Sequence, residues 1–79
     1  MSKSEDLTPA QRAILERIGT KLKELREQQG RSIESVAAEA GIAVDLLYAI
    51  EAGREEVVWE SLAWISAFYG TSQDDVLGR

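Results

Sequence analysis

Residues 32–53 read SIESVAAEAGIAVDLLYAIEAG, and their pattern decides the fold. Ser32 is a helix cap: its hydroxyl suits an exposed first-turn amide, and Val36, Ala37 and Ala40 then recur on one side of a helix of about eight residues. Gly41 is its stop. Ile42 enters a second short helix with Leu47 and Ile50 turned inward, and Gly53 ends it. A pair of short helices joined by a tight turn is the reading.

Working outward, Thr8-Pro9-Ala10-Gln11 has the form of a capping box with proline at the first helical position. Ile14, Ile18, Leu22 and Leu25 follow as one apolar stripe, so the first helix is predicted to run to about Gln29 and stop at Gly30. Gly19 inside it costs ~1 kcal/mol relative to alanine, which makes a bend there an expectation. On the other side, Trp59, Leu62, Ile65 and Tyr69 predict a helix from about Val58 to Tyr69, ended by Gly70. Ser72, with Asp75 three residues later, opens a last short helix carrying Val76 and Leu77. Five short helices and no strand signal predict an all-α fold. Residues 1–7 are polar and aperiodic and read as a mobile arm, leaving 8–79 as a single domain.

Composition narrows the function classes. The 79 residues contain no cysteine and no histidine, so neither a disulfide framework nor a His/Cys zinc site is available. No glycine-rich phosphate loop or nucleophile–base constellation is visible, and an enzyme, a cofactor and a metal are not expected. The nearly apolar stretch from Ile42 to Ile50 is far short of the ~20 residues that cross a bilayer, so no membrane is expected and the reading is cytoplasmic. Asp74 and Asp75 are read as acids stabilising the positive end of a helix, and Glu55-Glu56 as a solvated turn.

The order Ile18-Gly19, Leu22, Leu25-Arg26, Gly30, Ser32, Val36-Ala37, Ala40-Gly41-Ile42, Ile50-Glu51-Ala52-Gly53, Leu62 and Gly70 resembles the Cro/lambda-repressor-like (XRE) helix-turn-helix family without a gap. The resemblance runs from about Ile18 to Leu77. It implies a five-helix lambda-repressor-like DNA-binding domain, here with an extended first helix, and a small transcriptional regulator that binds duplex DNA as a dimer. It also implies a structural pair between Arg26 and Glu51. By the same resemblance the DNA-facing positions are Arg31, Ile33, Ala43, Val44, Asp45, Leu46, Tyr48 and Arg54.

The chemistry of those positions departs from the family. Residues 32–53 contain no lysine, arginine, asparagine or glutamine, and they carry four acids, Glu34, Glu39, Asp45 and Glu51. DNA presents about one negative charge per ~1.7 Å of axis, and groove readout relies on bidentate Arg, Lys, Asn or Gln. The net charge of −5 and pI of 4.6 add to the mismatch. Arg31, Arg54 and the cations of the first helix form only a thin positive rim. Weak DNA binding is therefore expected.

An alternative follows from the same residues. Ile33, Val44, Leu46 and Tyr48 form a surface that would receive a partner helix or peptide, turning the helix-turn-helix into a protein adaptor that does not bind DNA. Val44 and Tyr48, four apart, could instead lie along the edge of the core. Trp64 and Phe68, also four apart, are candidates for a homodimer interface, since aromatic residues are enriched at interface cores. The competing placement has one ring covering the first helix at Ile14 or Leu15.

Overall fold

Thr8 opens the first helix by the predicted box: its hydroxyl accepts from the Gln11 amide at 3.1 Å, and the Gln11 side chain accepts from the Thr8 amide at 2.9 Å. The computed structural model describes residues 8–57 and 59–78. These form α1 (Pro9–Gln28), α2 (Ile33–Ala40), α3 (Val44–Glu51), α4 (Trp59–Phe68) and α5 (Gln73–Leu77), with no strand among the described residues. The expected arm at 1–7, a helix start at Val58 and the inward placement of the Trp59 side chain lie outside what is described.

Local chemistry sets most boundaries. The Ser32 hydroxyl accepts from the Ser35 amide, and Gly41 closes α2 in the left-handed conformation. Ser72 caps α5 through the Asp75 amide at 3.1 Å. The Asp75 carboxylate accepts in turn from the Thr71 hydroxyl. Ala43 is the N-cap of α3 and offers no side-chain bond, so the helix begins two residues later than the Ile42 entry that periodicity suggests.

Core packing corrects two expectations about α1. Leu15, rather than Ile14, is buried with Ile18 and Leu22. One helical residue turns by roughly 100°, so positions 15, 18 and 22 align more closely than 14 does with the last two. Gly19 causes no break, and α1 is continuous across it. The glycine is instead a contact: a Cβ there would lie 2.5 Å from the Glu51 carbonyl oxygen and would also overlap that of Ile50. Gly53 makes the matching approach from the other side, where a Cβ would fall 2.7 Å from the Glu16 Cα. Two glycines thus let the end of α3 rest on the backbone of α1.

The core joins Ile18 and Leu22 of α1 to Val36 and Ala37 of α2, Leu47 and Ile50 of α3, Leu62 and Ile65 of α4, and Val76 of α5. Tyr69 closes it just beyond α4, where its carbonyl accepts from the Gln29 side chain at 2.9 Å. With α3 packed against α1 and α2 and its outer side left open, the fold leaves much of one short helix to solvent.

Candidate functional site

Position along α3 separates its side chains by direction. Leu47 and Ile50 point into the core, and Glu51 turns towards α1. There the Arg26 guanidinium donates through Nε to Glu51 Oε2 at 2.8 Å and through Nη2 to Oε1 at 3.1 Å. Its third arm, Nη1, donates to the Arg31 carbonyl at 3.0 Å. One side chain therefore links α1, the entry to α2 and the end of α3. The hydrogen bond to Glu51 holds the Arg26 pKa above its ordinary value, outweighing the opposing effect of burial. Both residues are consumed by this clamp and are not surface contacts.

Ala43, Asp45, Leu46, Tyr48 and Ala52 are exposed, whereas Val44 is half-buried and packs on the core edge. The exposed apolar groups do not form one patch. Leu46 and Tyr48 are two residues apart, which on a helix is roughly 200° of rotation, so they serve opposite flanks. Leu46, 38% exposed, lines a cleft towards α4 with Ile42, Ile50, Val57, Trp64 and Ile65. Tyr48, 51% exposed, lines a separate hollow with Lys23, Arg26, Glu51 and Ala52.

Two of the sequence-predicted positions change meaning. Ile33 is only 5% exposed and belongs to the core, so it offers almost no surface. As the first residue of α2 it lies one residue from the Ser32 cap, and its side chain turns inward with Val36 and Ala37. Arg31 is not a loose rim cation. Its guanidinium lies 5.1 Å from the centre of the Phe68 ring and 4.0 Å from Glu39 Oε2, and its Nη1 is buried without a hydrogen-bond partner among the described residues. Arg54, by contrast, is exposed and makes no ion pair with another described residue.

The aromatic pair of α4 is divided as well. Phe68 is half-buried under Arg31 and stands edge-on to Tyr69, with ring centres 5.6 Å apart at 89°. Trp64 remains exposed on the cleft with Leu46. Neither ring lines the hollow where Ile14 and Leu15 meet Leu62 and Leu77. Sequence periodicity alone missed the Leu46–Trp64 juxtaposition, because it joins helices whose crossing no local pattern encodes.

A family model described as a helix-turn-helix domain matches residues 17–77. The chain belongs to that family. No curated protein and no solved structure matches it. As a helix-turn-helix domain it has the all-α, five-helix lambda-repressor-like fold, in which α2 and α3 are consecutive short helices packed on one another. Its general functional class is the DNA-binding regulator. The helix-turn-helix match leaves out Pro9–Glu16, the first two turns of α1. No helix among the described residues is long and apolar enough to cross a membrane, and no three or more acidic, histidine or cysteine side chains among them gather as a metal site would require.

Proposed function

We propose that this helix-turn-helix domain is an XRE-type transcriptional regulator that lays the outer side of α3 against duplex DNA and does so weakly. The observation that carries the reading is the clamped presentation of α3: Arg26 and Glu51 fix its end while Ala43, Asp45, Tyr48 and Ala52 face solvent. Ala43 offers a methyl contact to thymine, and Asp45 an acceptor for a cytosine amino group. Arg54, with Lys23 beside Tyr48, supplies phosphate contacts. Binding as a pair to two half-sites is part of this reading.

Fragments selected from a genomic library at low salt test it. Affinity should fall steeply with salt, and Arg54→Ala should lower the magnitude of the log–log slope by about one. Absence of any bound fragment at low salt overturns the regulator. Sizing of the complex in solution reads the number of copies per site.

A second reading, a protein adaptor, is favoured by one specific observation: Leu46 and Trp64, both exposed and apolar, line the same cleft. Exposed apolar groups gathered in a concavity mark interaction sites. Leu46→Asp should leave the helical content and melting unchanged while removing a partner bound there. Retained binding by that variant ends the adaptor reading.

A further inference from the structure

The cleft between α3 and α4 has an apolar floor and acidic lips. Buried Ile50 and Ile65 form the floor, the more exposed Ile42, Leu46 and Trp64 the walls, and Glu55 and Glu56 complete the lining of a space of about 190 Å³. No lysine or arginine lines it, and neither carboxylate has a cation partner among the described residues. Glu55 is half-buried. A charge partly removed from water interacts more strongly with an incoming opposite charge than one on open surface.

These features sort the possible occupants. A phosphate backbone would be repelled by both carboxylates. A second copy docked cleft to cleft across a twofold axis would set Glu55 and Glu56 against their own counterparts, with no cation in the cleft lining and only Arg54 of each copy, outside it, to offset four carboxylates. A protein segment that brings one large apolar side chain flanked by lysine or arginine satisfies floor and lips together.

We infer that this cleft binds a basic amphipathic segment of a protein partner, inserting one leucine, methionine or phenylalanine between Leu46 and Trp64 and placing cations on Glu55 and Glu56. The inference rests on the adaptor reading and specifies its partner. It also moves the docking place from the outer side of α3 to its α4 flank, leaving Asp45 and Tyr48 outside the contact. Recognition then follows the helix-in-groove mode, with apolar anchors spaced along one side of the bound segment.

The test is a titration of the isotope-labelled full chain, followed by NMR, with two synthetic amphipathic peptides sharing one leucine face. One carries lysine and arginine at its polar positions; its twin carries glutamate and aspartate. The basic peptide should move the Leu46 methyls, the Trp64 indole N–H and the Ser61 amide, and leave Asp45 and Ala52 in place. Leu46→Ser and Trp64→Ala should each weaken it by about tenfold or more, as for a buried interface anchor. Glu55→Gln with Glu56→Gln should weaken it by about fivefold at low salt and flatten its salt dependence.

Equal binding of both peptides overturns the charge assignment while leaving the adaptor reading standing. Shifts centred instead on other acidic positions, such as Glu34 and Glu39 of α2 or Asp74 and Asp75 of α5, or insensitivity to Leu46→Ser, overturn the site. Concentration-dependent self-association abolished by Leu46→Ser gives the cleft to a second copy and likewise overturns the inference. The adaptor reading itself falls if a randomised peptide library also yields nothing held in a Leu46-dependent way.

Discussion

Gly19 and Glu51 share a space that admits no side-chain carbon on residue 19: a Cβ would stand 2.5 Å from the Glu51 carbonyl oxygen. Gly19→Ala should therefore destabilise the domain by ~2 kcal/mol, because overpacking exceeds the ~1 kcal/mol that alanine gains in helix propensity. Gly41→Ala provides the comparison, since nothing lies within 4 Å of its Cβ and only its left-handed backbone opposes the change. That variant should cost ~1 kcal/mol. Urea unfolding of both decides it, and a stabilised Gly19→Ala would contradict the close packing of α1 on α3.

The Arg26–Glu51 pair has side chains only 12% and 5% exposed. Arg26→Met leaves a carboxylate enclosed without its partner and should cost ~3 kcal/mol. Glu51→Met strands the guanidinium in the same way. The double variant should cost less than the sum of the two, with a coupling of ~1 kcal/mol or more by double-mutant cycle. Additive losses would show that the two side chains act independently.

Ile33 and Leu46 separate core from surface. Ile33→Ala should lower stability by ~3 kcal/mol, as for other buried aliphatic truncations, whereas Leu46→Ala should cost under about 1 kcal/mol. Chemical denaturation of the two variants side by side is sufficient. Equal effects would return Ile33 to the surface.

Tyr69 links stability to alkaline pH. Burial raises its pKa above the usual 10.0, Glu51 adds to the rise, and Arg26 and Arg31 oppose it. The folded state thus prefers the neutral phenol: the contribution is complete below the unfolded value and is lost as pH climbs through the raised folded one. The hydroxyl has no hydrogen-bond partner among the described residues, so Tyr69→Phe should be neutral to slightly stabilising at pH 7. Its advantage over the parent should widen above pH 10.0 in thermal melts. A constant difference across that range would remove Tyr69 as the cause.

Capping chemistry was legible because it is local. Thr8 with Gln11, Ser32 with Ser35 and Ser72 with Asp75 each close within one turn, and the residues that make the bonds are three apart in the chain. The Arg26–Glu51 pair came through family resemblance, not from spacing. Gly19 was read as a weak point because helix propensity sees only its own helix, while its use lies in a contact with residues 50 and 51. Ile33 was misplaced for a similar reason: the first residue of a short helix belongs to no complete apolar stripe, and the surrounding helices decide its direction. Leu46 and Trp64 were each recognised as exposed candidates, yet their shared cleft depends on how α3 and α4 cross.

Every group that secures α3, from Gly19 and Gly53 beneath it to Glu51 at its side and Leu47 within, points away from its outer turns. Mounting and message are thereby separable. Rewriting Ala43, Asp45 and Ala52 with asparagine, glutamine or arginine would give the same frame a new vocabulary without touching its foundations, which makes the domain a ready chassis for altered recognition.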